Sequence, residues 1–268
     1  MKIISNSKSR VLALRANSSV ARLDVWSSAL ELGGLNCEET LIQENMDYLH
    51  STRENVLARW GRKGSKAVAD RWLADNPKTD AEIIQYYNGL DLYITALSSW
   101  HSEVNVTIFL RIVEFMQLCI KNKLSHYLDF GSGIGSCAIM FGKYGFNVTL
   151  ADISDAMLTY SKWRLRRLSV DAKYIDLKNK PLPKNSVDCA TAIEVLEHIS
   201  DPSRAMSDIC NSLKPGGYLF VTTPFFHDPN RPQHIVQDIQ IANNFEKLGF
   251  TLLKITDNGL CRTYQKEI

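Results

Sequence analysis

The chain has 268 residues, of which 45% are hydrophobic, and a formal net charge of +2. This length allows one large domain or a catalytic domain with a smaller extension, and the hydrophobic content is enough for a buried core. The small net charge gives no bulk attraction to nucleic acid, and no apolar run approaches the roughly 18 residues of a membrane span. The six cysteines form no C-x-x-C pair, which favours reduced thiols inside a cytoplasmic protein.

The N-terminus allows two interpretations. Before Asp24 it contains five basic side chains and no acidic one. A mitochondrial transit peptide has such a composition, and so has an ordinary basic helix over Val11–Leu23. We favour the helix and a cytoplasmic location, and we keep the transit peptide as the alternative.

The front half of the chain is predicted to be helical, without strands. Apolar residues recur at helical spacing between residues 42 and 60 and again before the first strand. Thr79 and Glu82 have the spacing of a capping box, which predicts the start of another helix. We therefore divide the chain into a helical extension (residues 1–122) and a second domain (residues 123–268).

The most informative segment is YLDFGSGIGS, which begins at residue 127. An apolar run ends on Asp129, and Gly131, Gly133 and Gly135 follow at steps of two. A second apolar run then ends on Asp152. A strand, a glycine turn, a helix and a second strand that ends on an acid are the arrangement of a nucleoside-binding site. Glycines let the backbone come close to a ligand, and an acid at that strand end can accept the ribose hydroxyls.

Further strand and turn signals follow in order. Residues 172–177 read as a third strand that ends on Asp176. Residues 186–202 read as a fourth strand running into a loop and helix, and residues 213–224 as a helix end, a Pro-Gly-Gly turn and a fifth strand. Residues 245–267 read as two strands around an Asp-Asn-Gly turn, which is short enough to join only antiparallel neighbours.

The glycine pattern is an acid followed by G-x-G-x-G, whereas a dinucleotide site has G-x-G-x-x-G. Asp129 would repel a pyrophosphate but suits a cation. The pattern resembles the first motif of class I S-adenosylmethionine-dependent methyltransferases, whose methyl donor carries a sulfonium and an ammonium. The resemblance covers about residues 125–268. The words EVLEH and LKPGG are most similar to the small-molecule branch that includes ubiquinone-biosynthesis-type O-methyltransferases.

This resemblance implies an α/β fold. The sheet would be seven-stranded, doubly wound and mostly parallel, with a C-terminal antiparallel hairpin and the N-terminal helical extension in front. In that family such an extension covers the substrate site or forms an interface, so we expect it to gate the acceptor pocket or to support a homodimer.

The resemblance also implies that S-adenosyl-L-methionine binds at the carboxyl ends of the strands. Asp129 would lie near the methionine ammonium, Asp152 would bind the ribose, and Asp176 with Leu177 would flank the adenine. The full set of expected cofactor-binding residues is Asp129, Gly131, Ser132, Gly133, Gly135, Asp152, Ile153, Asp176, Leu177, Ile193 and Glu194.

The acceptor side is less constrained by the sequence. Methyl transfer is an in-line displacement in which the protein positions the reactants and helps to remove a proton from the acceptor. The candidates for that general base are His198, His227 and Tyr87. The expected substrate contacts are Tyr86, Tyr93, Trp100, His101, Phe225 and His234, although aromatic residues at helical spacing are also typical of a core.

A metal-dependent alternative arises from Glu194-x-x-Glu197-His198 and a later histidine, His234 or His227. This resembles the motif of small-RNA 2′-O-methyltransferases, in which two Glu and two His hold a divalent cation. However, the H-x-x-H pattern of those enzymes after the fifth strand is absent, and E-V-x-E-H occurs in relatives that bind no metal. The basic run KWRLRR is typical of a solvated helix end. We therefore expect no metal and no nucleic-acid partner.

We predict an S-adenosylmethionine-dependent enzyme that methylates an oxygen or nitrogen of a small-molecule metabolite. The first alternative is an RNA 2′-O-methyltransferase with a Glu/His metal site. The second is a non-catalytic scaffold with the same fold, against which the intact glycine turn and Asp152 argue.

Overall fold

The computed structural model describes residues 6–89, 91–103, 106–236 and 238–268. At its centre is a seven-stranded sheet with the order β3-β2-β1-β4-β5-β7-β6. The strands are β1 (His126–Phe130), β2 (Asn147–Asp152), β3 (Ala172–Asp176), β4 (Val187–Ala192), β5 (Leu213–Thr222), β6 (Phe250–Thr256) and β7 (Cys261–Lys266). Strands β1 to β5 pair in parallel, whereas β7 pairs antiparallel with β5 and with β6. The predicted α/β fold and its C-terminal antiparallel hairpin are confirmed.

Helices surround this sheet. Those before β1 are α1 (Asn6–Arg15), α2 (Ser19–Leu30), α3 (Cys37–Leu49), α4 (Arg53–Leu57), α5 (Arg62–Asp75), α6 (Asp80–Asn88), α7 (Asp91–Ser102) and α8 (Thr107–Lys121). The later ones are α9 (Ser136–Lys143), α10 (Asp155–Arg167), α11 (Pro202–Ser212) and α12 (Asn244–Lys247). In the described part of residues 1–122 there are helices and no strand, as predicted. None of the helices that the structure describes is both long and apolar enough to cross a membrane.

Two local predictions need correction. The single basic helix expected over residues 11–23 is broken, because α1 ends at Arg15 and α2 starts after Ser18, whose side chain caps the backbone N–H of Ala21. The Pro-Gly-Gly segment expected as a turn lies inside β5. Leu213 already pairs with Val187 of β4, and a register shift after that pair absorbs the extra residues as a bulge.

The helical front and the sheet share one hydrophobic core. Trp26 of α2 stacks on Phe109 of α8 with ring centroids 4.4 Å apart, and Phe115 of α8 stacks on Phe220 of β5. Tyr127 and the other residues of alternate position in β1 and β2 face the same cluster. The opposite face of the sheet packs on α11 and α12. A division of the chain at residue 122 therefore stays a proposal about its organisation, since apolar packing runs across that boundary.

A buried ion pair fastens the helical front to the glycine turn. The Arg164 guanidinium of α10 donates through Nε to Oε2 of Glu44 in α3 at 2.7 Å, and both side chains are shielded from solvent. Its Nη1 donates to the carbonyl of Ile134 at 2.6 Å and to Oγ of Ser136 at 3.1 Å. Arg164 thus joins α3, α10 and the turn that follows β1.

We expect Glu44→Gln to lower the free energy of unfolding by about 3–5 kcal/mol, because the buried Arg164 charge would lose its counter-charge. Urea denaturation measures this change. The matched control is Glu39→Gln, which removes the same charge from the exposed Glu39–Arg53 pair and should barely alter stability. Equal effects of the two substitutions would contradict a structural role for Arg164.

Candidate functional site

The turn between β1 and α9 is shaped by glycines in left-handed conformations. Gly131 has φ +66° and Gly133 has φ +48°, angles that side-chain-bearing residues rarely adopt. The Gly131 N–H donates to the carbonyl of Ala151 at 2.8 Å, and the Gly133 N–H donates to Oδ2 of Asp152 at 2.9 Å. The turn is therefore bonded directly to the end of β2, as the spacing of glycines and acid suggested.

The glycines differ in what they approach. A Cβ on Gly131 would lie 2.2 Å from Cγ2 of Val195, which covers the turn from the loop after β4. A Cβ on Gly133 would meet Leu97 of α7 at 3.2 Å. Gly135 packs against α10 and β2 instead, and it does not line the cavity described next. Glycine is therefore needed at these positions for the close packing of neighbouring segments of the protein, in addition to any need for ligand access.

A cavity of about 1160 Å³ opens beyond the carboxyl ends of the strands. Small-molecule sites are typically about 300–1,000 Å³, so there is room for more than one ligand. The floor of the cavity is formed by the ends of β1, β2 and β4 and the loops that follow them. Its roof consists of helices α6 and α7, with side chains of α5 and α8 at the sides.

The roof is bonded to the floor at several points. The Tyr87 hydroxyl of α6 lies 3.1 Å from Nδ1 of His198 in the loop after β4. Ser154 Oγ, just after β2, donates to the Tyr87 carbonyl at 3.2 Å, and the Asp155 N–H donates to Oδ1 of Asn88 at 2.8 Å. The helical front is thus part of the cavity wall in the described structure.

Most of the expected cofactor residues line the floor: Asp129, Gly131, Ser132, Gly133, Asp152, Ile153, Leu177, Ile193 and Glu194. Asp176 and Gly135 do not. The Asp176 carboxylate is turned toward its own loop, where it accepts from the Lys178 N–H at 3.0 Å and from Nδ2 of Asn179 at 2.6 Å. The Asp176 side chain therefore stabilises the loop that follows β3.

The floor fits a ligand with vicinal hydroxyls and a positive charge. Asp152 is 8% exposed, and each of its oxygens accepts one backbone N–H, from Gly133 and from Ser154. A carboxylate oxygen has a second lone pair, so both oxygens can also accept a ribose hydroxyl. Ser132 Oγ is buried without a hydrogen-bond partner among the described residues, which leaves it available to a ligand. Ile153 and Leu177 supply apolar surface for a base.

Asp129 lies near the end of β1, two residues before the first glycine of the turn. It is 4% exposed, and it accepts from the Ala138 N–H at 3.1 Å and from the Thr191 hydroxyl at 3.3 Å. Burial raises the pKa of this carboxyl to about 7, although both hydrogen bonds oppose the rise. A cation bound nearby would favour the ionised form.

The expected acceptor residues separate into two groups. Tyr87, Tyr93, Trp100, His101, His198 and His234 line the cavity. Burial keeps the Tyr87 and Tyr93 phenols protonated, since it raises the pKa of both. Burial lowers the pKa of His101 to about 3, so its ring is neutral, and its Nδ1 lies 2.8 Å from Ser136 Oγ.

Three predicted residues lie elsewhere. The Tyr86 hydroxyl donates to the carbonyl of Val68 at 2.7 Å, behind the roof, because neighbouring residues of a helix point about 100° apart. Phe225 is 1% exposed and packs into the core on the α11 face. His227 is exposed and lies outside the cavity. Their expected contact with the acceptor is not supported by these positions.

A cluster of one carboxylate and two imidazoles lies at the end of β4. Nε2 of His198 is 3.6 Å and Nε2 of His234 is 3.9 Å from Oε1 of Glu197, and the two rings are perpendicular with centroids 4.8 Å apart. The N–H groups of Ile235 and Val236 both donate to the Glu197 carbonyl, at 2.8 and 3.1 Å. These backbone hydrogen bonds bring His234 next to Glu197, although the two residues are far apart in the sequence.

Glu194 occupies a strained position beside this cluster. Its φ is +49°, which is uncommon for a residue with a side chain and recurs at functional sites. Its N–H donates to Thr222 Oγ1 at 2.7 Å, and its Oε2 accepts from Nη1 of Arg231 at 3.0 Å. Its other oxygen, Oε1, is buried without a hydrogen-bond partner among the described residues.

Sequence reasoning missed Arg231, Val195 and Leu97. Arg231 lies in the loop after β5, between the expected substrate contacts Phe225 and His234, but nothing in its sequence indicated a pairing with Glu194. The contacts of Val195 and Leu97 with the glycine turn are set by the packing of distant segments. Only the small size of the glycines indicated that some group must come close.

The sequence matches known proteins over its second half. Residues 128–221 match the family model described as a methyltransferase domain. The ubiquinone biosynthesis O-methyltransferase of Coxiella burnetii (strain Dugway 5J108-111) is 32% identical over 109 residues, which are 40% of this chain and 46% of that protein. The ubiquinone/menaquinone biosynthesis C-methyltransferase of Edwardsiella ictaluri is 33% identical over 134 residues, 47% of this chain and 49% of that protein.

The chain therefore spans about half the length of the curated relatives it matches. Among solved structures, an S-adenosylmethionine-dependent methyltransferase from Aquifex aeolicus is similar at 19% identity and a TM-score of 0.45, over 56% of this chain and 88% of that one.

We expect Gly131→Ala to destabilise the protein more than Gly33→Ala does. Both glycines have φ +66°, but a Cβ on Gly33 would meet nothing within 4 Å. The backbone conformation alone should cost about 1–2 kcal/mol in each variant, and the clash with Val195 should add about 1–3 kcal/mol at Gly131. The free energy of unfolding in urea gives the difference. Equal losses would show that Val195 moves aside freely.

A second prediction concerns pH. Because burial raises the pKa of Asp129 in the folded protein from its ordinary value of 3.8 to about 7, the folded protein keeps a proton here that the unfolded chain releases between these values. Raising the pH through this window therefore lowers stability. Asp129→Asn retains groups that can bond Ala138 and Thr191 but cannot ionise, so the variant should gain stability relative to wild type as the pH rises.

Urea denaturation at pH 4.5 and pH 8 measures this gain, for which each unit of raised pKa corresponds to about 1.4 kcal/mol. Carboxylates that do not interact with Asp129 titrate alike in both proteins and cancel in the comparison, whereas the nearby Asp152, whose charge contributes to the raised pKa of Asp129, belongs to the measured difference. The control is Asp171→Asn, at an exposed carboxyl. Parallel pH profiles of wild type and Asp129→Asn would contradict the assignment.

Proposed function

We propose that this chain, which carries a class I S-adenosylmethionine-dependent methyltransferase domain, transfers a methyl group to an oxygen or nitrogen of a small molecule. The observation that carries the proposal is the glycine turn bonded to Asp152 at the floor of a large covered cavity. When bound, S-adenosylmethionine supplies an electrophilic methyl group on a sulfonium. The protein supplies position, charge and exclusion of water.

The floor residues would hold the cofactor through complementary chemistry. Asp152 accepts the ribose hydroxyls, and Ile153 and Leu177 enclose the base between apolar side chains. Asp129 provides negative charge toward the ammonium, and Ser132 offers its buried hydroxyl. Asp176 has no direct part in this proposal, because its carboxylate is engaged in its own loop.

The side chains that helices α6 and α7 direct into the cavity favour a small molecule as the methyl acceptor. Ile83, Tyr87, Tyr93 and Leu97 present apolar and aromatic surface to the cavity, which suits the partly apolar body of a metabolite. The charged groups around the cavity include both signs, for example Lys178 and Asp208. A nucleic-acid site would instead need a basic surface, so this mixture supports a small molecule over RNA.

On the acceptor side, we propose that Tyr87 and His198 contact the reacting atom, because both line the cavity. The Tyr87 hydroxyl lies 3.1 Å from Nδ1 of His198 on the cavity wall. The protonated Tyr87 phenol can donate a hydrogen bond to an oxygen or nitrogen of the methyl acceptor. His227 has no such place, since it is exposed and lies outside the cavity.

Calorimetric titration with S-adenosylmethionine and S-adenosylhomocysteine is the first test. Saturable binding of both, followed by transfer of labelled methyl groups to members of a panel of phenols, alcohols and amines, would support the proposal. Absence of binding to the folded protein would favour the scaffold alternative. Transfer to RNA but to none of the small molecules would favour the RNA alternative.

We expect Asp152→Asn to weaken S-adenosylmethionine binding roughly tenfold to a hundredfold, because hydrogen bonds to a charged acceptor are lost. Asp155→Asn is the control: it removes an exposed carboxylate three residues away that pairs with Lys178 and should leave affinity nearly unchanged. Both variants should keep the wild-type circular dichroism spectrum. Unaltered affinity of folded Asp152→Asn would refute the ribose assignment.

A further inference from the structure

His101 lies beside the glycine turn, although it belongs to the helical front. On α7 it follows Leu97 by four positions, so the two side chains lie on the same face of the helix. A Cβ on Gly133 would lie 3.2 Å from Cδ1 of Leu97, which packs over the turn. One helical turn further on, Nδ1 of His101 lies 2.8 Å from Oγ of Ser136, the first residue of α9. Helix α7 thus carries an imidazole from the front half of the chain to the end of the glycine turn.

The hydrogen on this imidazole can be assigned from the partners of Ser136. The Ser136 side chain is buried, and its Oγ also lies 3.1 Å from Nη1 of Arg164. A guanidinium only donates, so the single hydrogen of the hydroxyl goes to Nδ1 of His101. Burial lowers the pKa of His101 to about 3, and a neutral ring that accepts at Nδ1 carries its hydrogen on Nε2. His101 is therefore an N–H donor at Nε2.

The orientation of the His101 ring is fixed by its neighbours. The Trp26 indole donates to the His101 carbonyl at 3.0 Å, and the His101 ring lies nearly perpendicular to the rings of Trp26 and Phe109. Among the described residues, the ring is hydrogen-bonded at Nδ1 alone. Because His101 lines the cavity, its Nε2–H group is held at the cavity wall and is free to bond a ligand.

Two further sources of hydrogen-bond donors lie at the same turn. Ser132 is 7% exposed, and its Oγ has no hydrogen-bond partner among the described residues. The Gly135 N–H donates to the Ser132 carbonyl at 2.8 Å, so the turn leads directly into α9. The first N–H groups of a helix have no partner within it and carry partial positive charge. A hydroxyl, an imidazole N–H and a helix N-terminus together favour an anionic group here.

Asp129 determines what kind of anion fits. Its Oδ2 accepts from the Ala138 N–H in the first turn of α9, and His101 reaches the same turn through Ser136. The two side chains thus approach one helical turn, which is about 5.4 Å long. Ionised Asp129 would repel an isolated anion, but a ligand with a cation and an anion on one carbon satisfies both sides. The α-amino-acid end of S-adenosylmethionine, with its ammonium and carboxylate, is such a group.

We propose that Nε2 of His101 and Oγ of Ser132 donate hydrogen bonds to the carboxylate of the cofactor, while Asp129 faces its ammonium. The helical front then binds the methyl donor in addition to covering the acceptor. This assignment rests on the cofactor of the proposed function and is independent of the acceptor. It differs from the expectation, drawn from the sequence, that His101 contacts the substrate.

The test compares two ligands that differ only in the carboxylate, namely S-adenosylhomocysteine and its decarboxylated analogue, which keeps the ammonium. In calorimetric titrations of the full chain, loss of the carboxylate should weaken binding roughly tenfold to a hundredfold, because hydrogen bonds to a charged group are lost. His101→Asn should weaken binding of S-adenosylhomocysteine about tenfold and leave the affinity for the analogue nearly unchanged. Asparagine can still accept from Ser136 at the position of Nδ1, but it has no N–H at the position of Nε2.

Three variants serve as comparisons. His101→Gln can place an amide N–H near the position of Nε2, so it should restore part of the discrimination between the two ligands. Ser132→Ala should lower only the affinity for S-adenosylhomocysteine. His227→Asn, the same substitution at an exposed histidine outside the cavity, should bind both ligands as wild type does. Thermal melting verifies that each variant is folded.

Equal affinity of the wild-type chain for the two ligands would overturn the assignment, and this result does not depend on the folding of any variant. A folded His101→Asn variant that keeps the wild-type discrimination would also overturn it. The same holds if this variant loses affinity for both ligands equally, since the ring would then only shape the cavity.

The assignment of His101 and the proposed function fail separately. Discrimination between the two ligands without methyl transfer to any small molecule would leave the carboxylate contact standing and remove the proposed function. Methyl transfer by a wild-type chain that does not distinguish the two ligands would do the reverse. Absence of binding of both ligands to the folded chain would remove the cofactor site and the assignment with it.

Discussion

The arrangement of the cavity depends on one buried charge, the guanidinium of Arg164. Its contacts with Glu44, Ile134 and Ser136 join a helix of the front half to the turn that follows the first strand. A charge in this position requires its partners to remain in place, because separating them would leave it unpaired in an apolar environment. Helix α3 is in turn bonded to the roof helix α7, because Asn45 donates to Ser98 Oγ and accepts from Thr95 Oγ1.

The cofactor side of the site could be predicted from the sequence because its signals are local. A strand, a glycine turn and an acid at the next strand end lie within a short segment, and Gly131, Gly133 and Asp152 came together as that pattern required. The seven-stranded, mostly parallel sheet and its final antiparallel hairpin were likewise confirmed. The orientation of Asp176 escaped prediction, because its partners are side chains of its own loop rather than elements of the pattern.

The acceptor side could not be predicted to the same depth, since it is assembled from segments that are distant in the chain. Tyr87 meets His198 across 111 positions, and no periodicity encodes such a contact. Helical geometry could have separated Tyr87 from Tyr86, which point in different directions from the same helix. The approach of His234 to Glu197 depends on how the loop after β5 packs on the loop after β4, which the sequence pattern does not encode.

The hydrogen bonds of helix α6 to both floor loops have a kinetic consequence. Tyr87 and Asn88 join this helix to the segments after β2 and β4, so a movement of the helix away from the strand ends must break several bonds together. Release of product would then be slower than its formation whenever the helix lifts less often than the chemistry occurs. The residence time of a ligand in such a cavity is then set by how often helix α6 opens, and not by how tightly the residues at the strand ends bind the ligand.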